Sequence, residues 1–424
     1  MNKNFKQNKI QKEKYDFNVI VIGGGASGMM AAGRCEELGK KVLMLEKNTE
    51  LGAKLKITGG GRCNITNAEY NTRALLKNYG DAEKFLYSPF SQFGVKDTFE
   101  FFEKRGLPFV IELGNRAFPK TEKASDVLKV LEKYMRGGGV TIKVNSQVSK
   151  ILIERKKITG VKVKEKIYTA NSYIIATGGN SHPETGSTGD GFLWLKELGH
   201  NVKPPTPTVV PLAVKENWVK SLSGITLSSM KITYYLDNKK SFSKIGKLLF
   251  THFGLSGPTI MNSAKKVDDL LHAGVVTAKI DIFPEINETV LEKKVIKLFD
   301  DNKNKMLKNV LSEIIPNNMV GTALSLLKNF DIEIKVHSIT KESRRELVLL
   351  LKSLPVTITG LMGFDKAIVA DGGVPLTEID MKTMKSKIIE NLFITGDLLN
   401  INRPSGGFSL QLCWTTGYVA GSNA

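Results

Sequence analysis

Short apolar runs that end in glycine or charge open the chain and predict buried strands. Residues 17–24, FNVIVIGG, form one such run, and residues 40–47, KKVLMLEK, form the next. Between them, residues 26–39 are small and amphipathic, and Gly39 is placed where a helix would stop. A strand, a glycine-rich turn, a helix and a strand make a βαβ unit, which predicts a parallel sheet.

The pattern changes several times further along the chain. Residues 98–136 predict mostly helix around a loop, and residues 140–179 alternate strand and turn, with a hairpin expected at 158–160. Residues 208–283 predict β-structure and residues 286–352 predict amphipathic helices. Glycine-rich strands and turns then return. The order indicates a domain interrupted by an insertion.

Four prolines between residues 201 and 212 mark the exit from the first domain. We therefore expect one discontinuous α/β domain made of residues 17–200 and 353–424. Residues 201–285 are expected to form an inserted β-rich domain, and residues 286–352 an inserted helical domain. Residues 1–16, which are rich in lysine, are expected to form a disordered basic arm.

Length, cysteines and charge narrow the class of protein. A chain of 424 residues exceeds one hydrophobic core, and no apolar run is long enough to span a membrane. Cys35, Cys63 and Cys413 share no disulfide or metal spacing, which is typical of a reducing cytoplasm. The net charge of +19 is compatible with a nucleic-acid partner. However, 51 Lys against 10 Arg can also reflect genome composition.

The turn after the first strand carries a dinucleotide fingerprint. Gly23, Gly25 and Gly28 fit GxGxxG, and Ala26 and Ser27 open the helix. In this motif glycines allow the tight turn, the approach of a pyrophosphate and close helix packing, while the helix N-terminus faces the phosphates. Glu46 follows the second strand 18 residues after Gly28, where an acid accepts hydrogen bonds from a ribose.

The stretch ITGGGRCNITN, residues 57–67, indicates which dinucleotide is bound. Gly60 and Gly61 belong to a bare backbone run that can donate N–H groups to a flavin ring, with Arg62 or Lys54 balancing phosphate charge. Thr177 and Gly178 make a second turn at the end of another strand. Near the C-terminus Asp397 follows a strand, and a helix opens at Gly406–Gly407, where its dipole can stabilise a reduced flavin. We predict FAD.

Six segments in order resemble the bacterial HI-type flavoprotein family. They are GGGASG, LKITGGGRCNITN, ATGGNSHPETGSTGDG, FTHFGLSGP, EIDMKTMKSK and GGFSLQLCWTTGYVAG, and the resemblance covers residues 17–424. It implies an FAD-binding Rossmann-like domain of the glutathione-reductase type with an inserted β-rich and helical domain. Carried over position by position, it implies FAD contacts at Gly23, Gly25, Ser27, Glu46, Lys47, Arg62, Asn64, Asp397, Gly407 and Phe408, with the Val148 backbone at the adenine.

The loop before the last helix departs from the family pattern. Where the family has an acidic-glycine sequence, this chain has Asn400, Asn402, Arg403 and Pro404, and the family's Glu is Asp397. The detailed contacts of the loop at the flavin ring are therefore open.

The family resemblance implies three activities: reduction of uracil to dihydrouracil in ribosomal RNA, reduction of enone-type bile acids, and oxidation of small amines such as aminoacetone. The first two transfer a hydride from flavin N5 to the β-carbon of a C=C conjugated to a carbonyl, and an acid protonates the α-carbon. Cys63 and His252 are the candidate acids.

The basic arm, the net charge and the family precedent favour uridine in 23S ribosomal RNA as the substrate, with a small enone or an amine as the alternatives. The sequence has one dinucleotide fingerprint, which is assigned to FAD, so no dedicated nicotinamide domain is predicted. NAD(P)H is therefore expected to dock transiently as the reductant.

Overall fold

A computed structural model describes residues 15–327 and 333–424 and divides the chain into two compact units. The first unit runs to Pro205 and resumes at Asp371–Ala424, and the second unit is Thr206–Ala370. The expected basic arm at residues 1–16 lies almost wholly outside the described residues.

In the part of the first unit that the structure describes, ten strands and seven α-helices precede the second unit. The strands are β1 (Phe17–Ile22), β2 (Val42–Leu45), β3 (Thr66–Asn67), β4 (Phe109–Glu112), β5 (Arg116–Pro119), β6 (Thr141–Lys143), β7 (Val148–Glu154), β8 (Lys157–Val163), β9 (Lys166–Tyr168) and β10 (Ala170–Ile175). The helices are α1 (Ala26–Glu37), α2 (Ala53–Ile57), α3 (Thr72–Leu76), α4 (Glu83–Gln92), α5 (Val95–Glu103), α6 (Ala124–Gly137) and α7 (Asp190–Glu197).

Strand β11 (Lys203–Val209) leads into the second unit, which combines a barrel with helices. Its strands are β12 (Leu212–Val214), β13 (Thr226–Leu236), β14 (Lys239–Thr251), β15 (Gly254–Ser256), β16 (Val276–Asp281) and β17 (Leu354–Leu361). Its helices are α8 (Asn217–Ser221), α9 (Pro258–Met261), α10 (Ala264–Ala273), α11 (Glu288–Asp301), α12 (Leu307–Leu311), α13 (Asn317–Ser325) and α14 (Lys341–Lys352). The chain returns through β18 (Val369–Gly373) and β19 (Leu392–Ile394) to α15 (Phe408–Asn423).

The first unit is built on a parallel sheet, as the βαβ pattern predicts. Its strand order is β19-β10-β1-β2-β6, and each neighbouring pair is parallel. Strands β1 and β2 are buried on both faces, which explains their continuous apolar sequence. Helix α1 packs against α15 and α6. The carboxyl end of β1 and the N-terminus of α1 therefore meet at one edge of the sheet.

Two local predictions in the first unit were wrong. Residues 109–112, expected to be helical, and residues 116–119, expected in the loop 113–125, form the antiparallel pair β4 and β5. The hairpin expected at 158–160 turns instead at Arg155–Lys156, both of which have positive φ, so residues 158–160 lie inside β8. Glycine is the usual signal for such a turn, and its absence at 155–156 hid the turn.

The described part of the second unit has two large hydrophobic clusters and a third small one, formed by Val209, Met261 and Val369. The closed barrel has the strand order β12-β15-β14-β13-β16-β17 and encloses the first cluster, and α11 to α14 surround the second. The barrel includes β17, Leu354–Leu361, which the expected boundary at residue 353 assigned to the first domain. Its alternating burial, with Leu354, Val356 and Ile358 inward, matches a barrel strand.

Candidate functional site

The turn after β1 requires glycine for packing. Gly23 has a φ of +106°, and a Cβ built on it would lie 2.5 Å from the carbonyl oxygen of Ala176. A Cβ built on Gly28 would lie 2.0 Å from the Gly23 oxygen. These two glycines therefore bring β1, β10 and α1 together, as the fingerprint requires.

Gly25 differs because the space beside it is open. It is the N-cap of α1, and a Cβ built on it meets no described atom within 4 Å. The first turn of α1 has no acidic residue and Gly25 makes no side-chain cap. Free backbone N–H groups and the positive end of the helix dipole suit a pyrophosphate.

The two helix-opening residues behind Gly25 are turned toward the protein. Ala26 is partly buried against the core. Ser27 is buried, and its hydroxyl accepts a hydrogen bond from Thr395 Oγ1 at 3.2 Å. A contact from these residues to a phosphate would therefore come from the backbone.

A cleft lies beside the ends of β1 and β2. The Glu46 carboxylate accepts hydrogen bonds from the backbone N–H of Gly24 at 2.6 Å and of Asn48 at 2.8 Å. Each oxygen still has a lone pair, so this acid remains able to accept from ribose hydroxyls. The cleft is lined by Trp194 and by five residues that were predicted to bind the cofactor: Gly23, Glu46, Lys47, Val148 and Thr177.

The cleft is also lined by Thr188, Asp190 and Trp194, which the sequence did not single out. Lys47 Nζ donates to Thr188 Oγ1 at 2.5 Å and pairs with Asp190 at 2.9 Å. Trp194 on α7 supplies an aromatic wall of the kind on which an adenine stacks. Val148, whose backbone was predicted to lie at the adenine, is the first residue of β7.

The second turn and the C-terminal segment meet at a partly buried group of charges. Lys54 Nζ, on α2, lies 3.9 Å from Asp397 Oδ2 and donates to Ser181 Oγ at 3.4 Å. A Cβ built on Gly178 would lie 3.8 Å from Lys54 Nζ. Arg403 completes the group by donating to Asp397 Oδ1. Three predicted site residues, Lys54, Gly178 and Asp397, are therefore close together.

Arg403 explains the departure in the loop before α15. Its side chain is 1% exposed, and besides Asp397 it donates from Nε to Ser409 Oγ at 2.9 Å and from Nη1 to the Ile401 carbonyl at 2.8 Å. The guanidinium therefore ties the loop to Asp397 and to the first turn of α15. From the sequence, Arg403 was only one of four residues that depart from the family pattern, and its partners could not be predicted.

Burial and charge act in opposite directions on Asp397. Burial alone would raise the pKa of Asp397, but the positive charges of Arg403 and Lys54 hold that pKa below its usual value. Burial lowers the pKa of Lys54 and outweighs the opposite effect of Asp397. Because two cations face one carboxylate, the group has a net positive charge when all three are ionised, which suits an electron-rich ligand.

The triple glycine turn is free of side chains and exposed. Gly59, Gly60 and Gly61 have φ values of +59°, +67° and +85°, so an L-residue would be strained at each. A Cβ on Gly60 would meet no described atom within 4 Å. The backbone there is open to a planar ligand, as the flavin prediction requires.

Arg62 does not have the position predicted for a phosphate counterion. Its Nη2 donates to Glu112 at 2.5 Å and to Glu122 at 2.7 Å, and its guanidinium lies 4.1 Å from the centre of the Phe118 ring. Two carboxylates already neutralise this cation. Its Nε is buried and has no hydrogen-bond partner among the described residues, which leaves one donor beside the triple glycine turn.

Asn64 connects the triple glycine turn to α15. In the orientation that satisfies its neighbours, its amide oxygen accepts from the Gly407 N–H at 3.0 Å and its amide nitrogen donates to the Thr66 carbonyl at 3.1 Å. Gly407 is the N-cap of α15, and a Cβ there would lie 2.2 Å from the Thr66 carbonyl carbon. The two glycine-rich segments of the prediction therefore meet through this side chain.

Phe408 points into the protein. It is buried, its ring contacts the Tyr79 ring edge-on at 5.8 Å, and its carbonyl accepts from Tyr79 Oη at 2.8 Å. We therefore assign Phe408 to the support of the α15 N-terminus, and a contact to a flavin would come from its backbone.

Cys63, one of the two predicted acids, is fully buried. Its side chain has no exposed area, its φ is +62°, and burial raises the pKa of its thiol to about 12. A thiol with that pKa gives up its proton poorly at neutral pH. Cys63 therefore packs in the protein interior, and we no longer propose it as the proton donor.

All three thiols are expected to resist alkylation in the folded protein. Burial raises the pKa of Cys35, Cys63 and Cys413 to about 12 in each case. At pH 8 only about one thiol in 10,000 would then be ionised, and the thiolate is the reactive form. Iodoacetamide followed by peptide mass spectrometry should find no labelled cysteine in the native chain and three in urea. Fast native labelling of Cys63 would restore it as a candidate acid.

The other predicted acid, His252, belongs to the second unit. It is exposed at the turn between β14 and β15, and its ring contacts Phe253 edge-on at 4.8 Å. Its role as the acid stays a prediction.

Among the described residues, no helix has the length and apolar composition that crossing a bilayer demands.

Comparison with known proteins agrees with this architecture. A 3-dehydro-bile acid delta(4,6)-reductase of Clostridium scindens is 28% identical, over 95% of this chain and 98% of its own. A ribosomal RNA dihydrouridine synthase of Haemophilus influenzae is 27% identical, over 94% of this chain and 96% of its own.

Among solved structures, a 3-ketosteroid-delta4-(5alpha)-dehydrogenase of Rhodococcus jostii has a TM-score of 0.54 at 14% identity, covering 97% of this chain and 98% of its own. At this identity the likeness concerns the fold alone. The family model described as the HI0933-like protein Rossmann domain matches residues 17–423. The fold, the cleft and these matches agree, and the chain belongs to the HI0933-like family of FAD-dependent oxidoreductases.

Proposed function

We propose that this chain binds one FAD and reduces a C=C bond conjugated to a carbonyl, with uridine in ribosomal RNA as the substrate. The observation that carries the reaction type is the agreement of two relatives that each cover at least 94% of the chain, a bile-acid reductase and a ribosomal RNA dihydrouridine synthase. Both names describe the reduction of such a bond. The chemistry is therefore common to two very different substrates.

The residues fit a cofactor held in an extended form. Glu46 and Trp194 would hold the adenosine, the N-terminus of α1 at Gly25 the pyrophosphate, and Asp397 the ribityl chain. The exposed backbone at Gly60 and Gly61 would contact the ring. These positions lie on segments that the structure joins through Lys54–Asp397 and Asn64–Gly407.

When bound, the flavin supplies a hydride from N5. The chain's own contribution is electrostatic and positional. The N-terminus of α15, capped by Gly407 and without an acid in its first turn, presents a positive dipole end to developing negative charge. The two cations Lys54 and Arg403 outnumber the one carboxylate of Asp397, so their net charge adds to the positive potential of the helix dipole.

The reaction balances as a two-electron reduction. The hydride adds to the β-carbon of the substrate and a proton adds to the α-carbon, while the flavin is oxidised. A dihydronicotinamide such as NAD(P)H then restores the reduced cofactor. With Cys63 buried, we assign the proton to His252, whose exposed ring is accessible to a bulky substrate.

The proposed function predicts dihydrouridine formation by the isolated protein. FAD-loaded protein with NADPH is incubated with protein-free 23S ribosomal RNA from cells lacking the gene, and nuclease fragments are mapped by mass. One uridine should gain the mass of two hydrogen atoms. His252→Gln should slow this step about 100-fold while flavin reduction by NADPH is unchanged, since a general acid contributes that much.

The alternative substrate is a small enone, favoured by the bile-acid reductase relative at 28% identity. If NADPH oxidation depends on a 3-keto-4-ene steroid and RNA gains no mass, the enone replaces RNA in this account. Full turnover of RNA by His252→Gln would instead remove His252 from the mechanism.

A further inference from the structure

The outer face of the barrel in the second unit carries three rows of residues from three neighbouring strands, with a shift of register in β14 before the third row. The register pairs Ile245, Lys231 and Asp281 in one row, Ser243, Thr233 and Lys279 in the next, and Lys240, Tyr235 and Thr277 in the third, on β14, β13 and β16 in each case. We call these nine residues the basic face. Each row has one lysine.

Alternation along the strands shows that the basic face points out of the barrel. Ile232 and Tyr234 on β13, and Ala278 and Ile280 on β16, are at most 1% exposed and belong to the barrel core. Their neighbours in sequence project to the opposite side of the sheet. Lys240, Lys279 and Ile245 are exposed, and Ile245 is 61% exposed despite its apolar side chain.

The lysines of the basic face are not neutralised by an acidic residue of the same face. Asp281 is its one acidic residue, and this carboxylate pairs at 2.7 Å with Lys352, which lies outside the face. Among the described residues, Lys231, Lys240 and Lys279 have no salt bridge. Their positive charge is therefore available to a partner.

Aromatic and hydroxyl groups accompany the lysines. The Lys279 ammonium lies 5.4 Å from the centre of the Tyr235 ring, which is half-buried and placed between Lys240 and Thr277. Lys231 and Tyr235 are four residues apart on one strand, about 13 Å. Cations beside a flat aromatic ring on a rigid sheet are the combination by which barrel proteins hold the backbone and stack the bases of single-stranded nucleic acid.

We propose that the basic face is a docking surface for a single-stranded segment of RNA, with phosphates on Lys231, Lys240 and Lys279 and a base on Tyr235. This inference rests on the proposed function, because it identifies where the second unit holds the RNA whose uridine is reduced. It assigns a purpose to a part of the chain that the dinucleotide site does not use.

The test compares two triple variants of the FAD-loaded chain in binding to protein-free 23S ribosomal RNA across a salt series. Lys231→Gln/Lys240→Gln/Lys279→Gln removes the three cations of the face. Lys293→Gln/Lys294→Gln/Lys297→Gln removes three exposed lysines from α11 in the same unit and serves as the matched control. Retained flavin absorbance and melting temperature show that each variant is folded.

The face variant should bind about 100-fold more weakly at 0.1 M salt, and its plot of log affinity against log salt should be shallower by about 2, at roughly 0.7 per lost phosphate contact. The control should keep the wild-type slope. Tyr235→Ala should bind about tenfold more weakly with an unchanged slope, because stacking is not an ionic contact.

Equal losses in the two triple variants would contradict the proposal, since net charge alone would then explain the binding. So would a face variant that binds RNA like the wild type but no longer binds anionic phospholipid vesicles, which would make the face a lipid surface. Normal RNA docking through the face without any dihydrouridine would instead overturn the proposed reaction and leave the docking surface in place.

Discussion

Replacing Gly25 by valine is expected to weaken FAD binding about 100-fold while the protein still folds. A Cβ at this position meets no described atom within 4 Å, and the φ of −83° is accessible to any L-residue. The new side chain would take the space of the pyrophosphate at the N-terminus of α1. Losing the charge-assisted hydrogen bonds to those amides costs about 3 kcal/mol, or about 100-fold in affinity. Titration of the flavin-free chain with FAD measures this.

The matched control for this variant is Gly137→Val. Gly137, the last residue of α6, also has open space around a built Cβ and no positive φ, but no ligand is assigned to it. It should bind FAD like the wild type, and the melting temperatures of the two flavin-free variants should be similar. Tight FAD binding by Gly25→Val would show that the phosphates lie elsewhere.

Replacing Arg403 by methionine should strongly destabilise the first unit. Arg403 and Asp397 form a pair in which the guanidinium is 1% exposed and the carboxyl is 20% exposed. Without Arg403, the carboxylate of Asp397 would keep only the more distant ammonium of Lys54, at 3.9 Å. Loss of the guanidinium partner should cost about 3 kcal/mol or more in the free energy of unfolding. Urea unfolding of the flavin-free chain measures that free energy.

The control for Arg403→Met is the double variant Arg403→Met/Asp397→Asn, which removes both charges. It should recover a large part of the lost stability, because no carboxylate is then left without its guanidinium. If the single variant is as stable as the wild type, Arg403 does not hold the loop before α15.

The same pair predicts the dependence of stability on pH. Because the pKa of Asp397 is lowered in the folded protein, its contribution is complete above about pH 4, the pKa of an unfolded aspartate, and is lost as the pH falls through the folded value. The stability difference between the wild type and Asp397→Asn should therefore disappear in acid.

Local patterns made the first βαβ unit predictable. Apolar runs of β1 and β2, the fingerprint at Gly23–Gly28 and the small residues of α1 each determine structure over a few residues. The resemblance in the later motifs extended the prediction to Asp397 and Gly407. Both lie where the segments of the site meet.

Long-range partners could not be predicted in the same way. Glu112 and Glu122 neutralise Arg62 from about 50 and 60 residues away, and Arg403 reaches Asp397 only because the loop folds back. The complete burial of Cys63 also could not be predicted from its local sequence. Strand β17 was assigned to the wrong domain because its pairing with β12 and β16 crosses the whole insertion.

The most direct measurement is a titration of the flavin-free chain with FAD, followed by visible absorbance and calorimetry, with FMN in parallel. The account predicts one FAD per chain and weaker FMN binding, because FMN lacks the adenosine that the Glu46–Trp194 cleft would hold. A colourless chain that binds no FAD, or that binds FMN equally well, would contradict the claim that the fingerprint and the two glycine-rich segments hold a single flavin dinucleotide.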